Sequence, residues 1–310
     1  MKLYLAVTLA LLLGTSARAR SVSPPQIIGI AHISLLAHNF DASRSFYRDM
    51  LGFEEPYSLK NADGSPSMTF FKVNEGQYIE LAPEKTAGQS RLNHFALEVP
   101  DAEAMRKYLN SRGVEVPDHV PTGRIGNLNF MIKDPQGVSV EIVQYGSASW
   151  TVQARGKFMS GHRISSRIMH VGFVVTDLKA ELDFYTGVLG FREFWRGSKD
   201  GQVLSWINLK LPDSDDYIEL MLYAKTPAPN SVGSANHLCL EVFSADAALT
   251  LLKQRAAATN YKRPLEMHVG KNGKRQINLY DPDGTRTELM ELHTANGQAA
   301  PSSAAPPPAP

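Results

Sequence analysis

Residues 31–57 read AHISLLAHNFDASRSFYRDMLGFEEPY, and residues 169–195 read MHVGFVVTDLKAELDFYTGVLGFREFW. Each opens with a histidine in an apolar run, passes through Phe-Tyr (Phe46-Tyr47, Phe184-Tyr185) and closes on Leu-Gly-Phe (Leu51-Gly52-Phe53, Leu189-Gly190-Phe191). His32 and His170 lie 138 residues apart. A second match continues the alignment: LNHFALEVPDAEAM from Leu92 against ANHLCLEVFSADAAL from Ala235, then KDPQGVSVEIVQ from Lys133 against YDPDGTRTELME from Tyr280. The chain is a tandem duplication, and each half holds two units led by a histidine.

Every unit reads as strand–helix–strand–strand–strand. Ile27 to Ala37 has the Ile/Leu content of a buried strand. Asp41, Asp101 and Asp177 are the expected helix starts, and Gly52, Gly113 and Gly190 the stops. The Asp-Pro-x-Gly segments at 134–137 and 281–284 are turn sequences between short strands. The fold class predicted is α+β, mostly antiparallel, with helices on one face of each sheet.

Each unit also ends on a strand glutamate. The pairs are His32/Glu80, His94/Glu141, His170/Glu219 and His237/Glu288, separated by 48, 47, 49 and 51 residues. In Ile79-Glu80-Leu81 the flanking apolar residues take the helix-covered face, so strand alternation turns Glu80 to the opposite, concave face. A carboxylate among apolar strand residues is costly to bury unless it is paired, hydrogen-bonded or metal-bound. Two imidazoles and two carboxylates converging from two units would form a mononuclear divalent site with two open octahedral positions. Glu291 has the wrong parity to join it, and Glu98 and Glu241 lie four residues from their histidines, at the rim. His38, His119, His162, His268 and His293 have no repeated partner.

The phrases FY…LGF, NH-x-x-L-E-V and DP-x-G-x-x-x-E resemble the vicinal oxygen chelate superfamily, from about Ile27 to Tyr145 and from Arg167 to His293. That group spans glyoxalase I, extradiol dioxygenases, epimerases and the fosfomycin and bleomycin resistance proteins. The resemblance implies four βαβββ modules paired into two domains (27–146 and 167–293) across a linker at 147–166. It implies a divalent ion (Ni, Zn, Co, Mn or Fe) held by His32, Glu80, His94, Glu141, His170, Glu219, His237 and Glu288. It further implies a small-molecule substrate chelated through vicinal oxygens, with Glu80, Glu141, Glu219 or Glu288 as the base. A glyoxalase-like lyase, isomerase or epimerase is the expected activity. The alternatives are an Fe(II) extradiol dioxygenase, whose characteristic tyrosine neither Tyr280 nor Phe130 reproduces, and a non-catalytic small-molecule binder. Ligand sets within one half and sets crossed between halves both occur in such folds. The crossed form is expected here, because fusion of a swapped dimer would keep two sites without an oligomer.

Length and composition agree with two soluble domains: 310 residues, 43% hydrophobic and 20% charged. Lys+Arg 32 against Asp+Glu 31 leaves a formal charge of +1, no footprint of a nucleic-acid binder. The single cysteine, Cys239, rules out an intramolecular disulfide and a multi-cysteine metal site. Residues 295–310, ANGQAAPSSAAPPPAP, are expected as a disordered tail. Residues 1–19 combine Lys2, an apolar run Leu3–Leu13 and an Ala17-x-Ala19 site, the pattern of a secretory signal peptide too short to span a bilayer. The expected location is periplasmic or secreted, with no stable membrane insertion after cleavage. N-terminal sequencing of protein from the extracytoplasmic fraction should begin at or near Arg20; an intact Met1 on soluble cytoplasmic protein would refute export.

Overall fold

The computed structural model describes residues 23–86 and 91–309; the signal peptide expected at 1–19 lies outside them. Domain 1 carries β1 (Gly29–Ala37), α1 (Phe40–Ser45), β2 (Glu54–Lys60), β3 (Pro66–Lys72), β4 (Tyr78–Pro83), β5 (Leu92–Glu98), α2 (Ala102–Ser111), β6 (Leu128–Lys133) and β7 (Ser139–Gln144). The linker contains a short helix, α3 (Trp150–Gln153). Domain 2 carries β8 (Ile168–Val175), α4 (Leu178–Tyr185), β9 (Arg192–Ser198), β10 (Leu204–Lys210), β11 (Tyr217–Leu222), α5 (Pro229–Ala235), β12 (His237–Val242), α6 (Ala245–Thr259), β13 (Met267–Val269), β14 (Lys274–Tyr280) and β15 (Arg286–Thr294). The fold is α+β as expected. No helix among the described residues is long and apolar enough to cross a membrane.

Each half forms its own mixed sheet. The strand order is β2-β3-β4-β1-β5-β7-β6 in domain 1 and β13-β14-β15-β12-β8-β11-β10-β9 in domain 2. The leading strands of the two units in one half therefore pair with each other, β1 with β5 and β8 with β12, both antiparallel. The second unit of domain 1 departs from the expected three-strand hairpin run: one isolated bridge, Thr122 to Leu128, replaces the first strand. Pro117 and Pro121 lie in that stretch, and a proline offers no N–H to a ladder.

Helix caps follow the sequence reading with two corrections. Asp101 and Asp177 accept from Ala104 N and Ala180 N, but Asn39, not Asp41, caps α1 through Ala42 N. Gly113 follows the C-cap of α2 at φ 80°, and Gly52 (φ 80°) follows a π-helical turn, Phe46–Met50, that prolongs α1; the expected stop at Gly190 (φ 77°) is corrected, since α4 ends at Tyr185 and Gly190 lies in the turn before β9. The linker is fastened to domain 1. Fully buried Lys72 sends its Nζ to Glu75 (2.7 Å) and to the carbonyls of Ala154 (2.5 Å) and Lys157 (2.8 Å). The tail departs from the disorder expected of it: Ser303 N donates to Arg196 O (2.9 Å), Leu204 N to Pro306 O (2.8 Å) and Trp195 Nε1 to Pro301 O (3.3 Å).

The two domains share one continuous apolar core, with Phe95 stacked on Phe173 at 5.7 Å. They also exchange polar contacts reciprocally. Gln136, third residue of the first Asp-Pro-x-Gly turn, accepts from Thr176 N and Asp177 N at the start of α4. Asp283, its equivalent, accepts from Asn39 N at the start of α1 (3.1 Å). Asp134 accepts from Tyr185 OH (3.1 Å), while Asp281 accepts from Ser43 Oγ (3.4 Å); burial, and then the Asp281 charge, drive the Tyr47 phenol pKa well up. Gln77 clamps Ile168 through both N and O, and Asp216 accepts from Ile30 N. The Phe-Tyr and Asp-Pro-x-Gly motifs thus meet across the interface.

This interface buries an acid pair. Burial and neighbouring Asp134 raise the Glu181 carboxyl to about 8, and burial raises Asp134 as well, so the pair holds a proton near neutrality. An acid whose pKa is raised on folding destabilises the fold progressively as pH climbs from the unfolded value, near 4.5, through 8. Glu181→Gln keeps an acceptor for Gln136 N and gives Asp134 a donor in place of the shared proton. Its Tm should exceed the parent's by about 2–4 °C at pH 8 and converge with it near pH 5, as read by thermal melts.

Candidate metal centres

Strand register, not chain proximity, assembles the two polar clusters. In domain 1 one row across the sheet runs Tyr78–His32–Ala96–Glu141, and the neighbouring row places Glu80 and His94 on either side of Ser34. In domain 2 the rows run Tyr217–His170–Cys239–Glu288 and Glu219–Gly172–His237–Arg286. The outer carboxylates of a quartet sit three strand spacings apart, about 14 Å in a flat sheet. They reach the same two imidazoles because the sheet curls toward that face.

The distances are short. His32 Nε2 lies 3.1 Å from His94 Nε2, 3.3 Å from Glu141 and 3.5 Å from Glu80; His94 Nε2 lies 3.0 Å from Glu141 and 3.5 Å from Glu80. In the second quartet His170 Nε2 and His237 Nε2 are 3.0 Å apart, His170–Glu288 is 3.5 Å, His237–Glu219 is 3.5 Å and His237–Glu288 is 3.7 Å. All eight side chains are buried. Two donors about 2.1 Å from a common ion stand about 3.0 Å apart at right angles and about 3.4 Å apart in a tetrahedron. The observed spacings are such polyhedron edges, and imidazole with carboxylate suits a borderline divalent ion. Each quartet lies within one domain, so the crossed arrangement expected from the sequence is corrected. The histidine strands of one half pair with each other, and the contacts between halves bring no histidine or glutamate of one quartet to the other.

The remaining candidates sit apart. Glu241 pairs with Arg167 (3.0 Å), Glu291 accepts from Ala245 N at the start of α6, and His38 pairs with Glu84. The reading along the repeats passed over Asn93, whose carboxamide lies 3.2 Å from His94 Nδ1, and over Cys239, Arg286 and Gly172. Cys239 shares a possible donor group with His170 and Glu288, where domain 1 has Ala96. Arg286 Nη2 lies 2.7 Å from His237 Nδ1, which is also 2.8 Å from Ala235 O. Alternation could have found three of them, since Cys239, Arg286 and Gly172 lie two positions from His237, Glu288 and His170.

The two quartets differ electrostatically. Burial opposes charge on His32, but Glu80 and Glu141 outweigh it and raise its pKa to about 9. Burial also opposes charge on Glu141, yet His32 and His94 hold it well below the usual carboxylate range. In domain 2, burial and the Arg286 cation push both His170 and His237 well below an ordinary imidazole. Burial and Glu288 raise Glu219 to about 8.

The family model described as Glyoxalase/Bleomycin resistance protein/Dioxygenase superfamily matches residues 29–142 and again 167–289, and the chain belongs to that family. A curated relative, Glyoxylase I 4 of Arabidopsis thaliana, is 29% identical over 130 residues, 39% of this chain and 72% of that protein. Among solved structures, the Mn(II)-bound glyoxalase of Novosphingobium aromaticivorans superposes with a TM-score of 0.65 at 17% identity, over 91% of this chain and 88% of that one. The 2,3-dioxygenase LapB of Pseudomonas sp. KL28 gives 0.62 at 18% identity, over 87% and 93%. Homoprotocatechuate 2,3-dioxygenase of Brevibacterium fuscum gives 0.67 at 18% identity, over 92% and 77%. At these identities the structural likeness is one of fold.

The second quartet depends on a glycine. A Cβ on Gly172 would fall 1.9 Å from His237 Cε1, whereas Ser34 occupies the equivalent position in domain 1. Gly172→Ala should displace the His237 ring and cost about 1–3 kcal/mol of stability. The imidazole NMR signals of His170 and His237 should shift while those of His32 and His94 stay in place.

Proposed function

We propose that the chain is an exported metal-dependent enzyme of the glyoxalase-like kind. It would act as a lyase, isomerase or epimerase on a small molecule presenting two adjacent oxygens. The observation that carries this reading is the pair of buried His2Glu2 quartets whose donors are spaced as the edges of a coordination polyhedron. Four donors exceed the two histidines and one carboxylate of a facial triad, which favours this reading over ring cleavage. The Mn(II)-bound glyoxalase of similar fold lends support, and the pattern of residues 1–19 supports export.

His32, Glu80, His94 and Glu141 would hold one ion, and His170, Glu219, His237 and Glu288 the other. A bound divalent ion supplies Lewis acidity to adjacent substrate oxygens. The protein's own part is positional and acid–base. The histidines present Nε2 to the site, and Nδ1 is left to neighbours in two of them, His237 toward Ala235 O and His94 toward the Asn93 carboxamide. A glutamate Oε released from the quartet, whether of Glu80, Glu141, Glu219 or Glu288, is placed to take a proton from the carbon beside those oxygens and return it.

Metal analysis of protein purified without chelator tests this. Two equivalents of Ni, Zn, Co or Mn per chain are expected. His32→Ala and His94→Ala should each remove the same one, and His237→Ala and Glu288→Ala the other. Bound Fe(II) with oxygen uptake on catechols would shift the reading to a dioxygenase, and no metal at all to a non-catalytic binding module.

A further inference from the structure

The two quartets open into different cavities. The one over Glu80 and Glu141 holds about 170 Å³ and is walled largely by Leu59, Met68, Phe70 and Ile125. Its arginine, Arg124, is committed at the rim to Ser67 Oγ (2.9 Å) and Lys60 O (2.8 Å). The cavity over Glu219 and Glu288 holds about 310 Å³ and is lined by Trp195, Trp206, His268, Lys271 and Arg286. Arg286 is fixed at its floor by strand register, beside His237 and in line with Glu219 across the side-chain-free Gly172. One of its nitrogens faces His237 Nδ1, but Nε is buried with no hydrogen-bond partner. Ser139 takes the same position, two residues before Glu141, in domain 1.

A buried guanidinium N–H without an acceptor, facing a cavity, is a strong donor open to a ligand. Its planar fork fits a carboxylate better than any neutral oxygen. Arg286 adds a positive charge beside the quartet that Glu219 and Glu288 offset only in part once a divalent ion is bound, so an anionic ligand and the ion favour each other. We propose that the domain 2 cavity takes a small ligand bearing a carboxylate next to its chelating oxygens, and that Arg286 selects for that charge. Domain 1, with serine in place of arginine, does not make this selection. The inference rests on the metal-chelate reading above and names the class of substrate for one of its two sites.

The test uses the full chain carrying His94→Ala, so that Mn(II) is confined to domain 2, and two probes with the same adjacent oxygens, oxalate (two charges) and oxamate (one). Affinities are read by calorimetry and bound Mn(II) by electron paramagnetic resonance. Adding Arg286→Ser should cut the oxalate-over-oxamate preference by about tenfold with Mn(II) still bound. An unchanged preference with Mn(II) bound overturns the role of Arg286 and leaves the metal reading standing. Failure of the His94→Ala parent to bind Mn(II) overturns both. Should Arg286→Ser not fold, Arg286→Lys retains charge without the fork; an intermediate preference supports the proposal, and the full parental preference overturns it.

Discussion

Four ionisable side chains meet at a single buried point in each half of this protein, and that concentration of charge is what the rest of the structure has to accommodate. Removing two carboxylates from water is strongly unfavourable unless protons, hydrogen bonds or an ion compensate. The sheet curls so that donors from four consecutive strands reach one another. The neighbours of each donor alternate into the apolar core, where Ile33, Ile79, Leu81, Phe95, Val140 and Ile142 are almost fully buried. The same architecture handles the charge in two ways. In domain 1 the carboxylates favour charge on His32, whereas in domain 2 burial and Arg286 disfavour charge on both histidines, and burial with Glu288 favours the protonated form of Glu219.

The halves are joined by features that the duplication copied. The residue after proline in each Asp-Pro-x-Gly turn supplies the acceptor for the first amides of the other half's Phe-Tyr helix. Because the two halves offer the same turn and the same helix, the contact is made twice, as in an isologous dimer. Gln136 and Asp283 do this with different side chains, so the interface tolerates divergence in charge while keeping an oxygen acceptor in place. The polar clusters lie on the other face of each sheet and are free to diverge separately.

Most of the architecture was legible because it repeats. Four histidine-to-glutamate intervals of similar length, combined with strand parity, located all eight converging side chains. What the repeats could not convey was which histidine strands become neighbours. Pairing of β1 with β5 or with a strand of the other half leaves every local pattern unchanged, and only the assembled sheets decide it. Arg286, Cys239 and Gly172 escaped for the opposite reason: each occurs in one copy only, and comparison between copies discards such residues. The missing strand of the second unit follows from two prolines that were visible but not weighed. The tail escaped because its composition has no large apolar side chain to bury, whereas its attachment uses backbone amides and carbonyls.

That attachment has a consequence for how this protein behaves among its own copies. β9 is the last strand of the larger sheet, and such an edge is an open template on which another chain can nucleate. The segment that reaches it comes from the same polypeptide and carries Pro301, Pro306, Pro307 and Pro308, none of which has an N–H to pass to a further strand. The alanine- and proline-rich segment therefore lies along this edge as a selvedge, leaving a further strand few amides to pair with there.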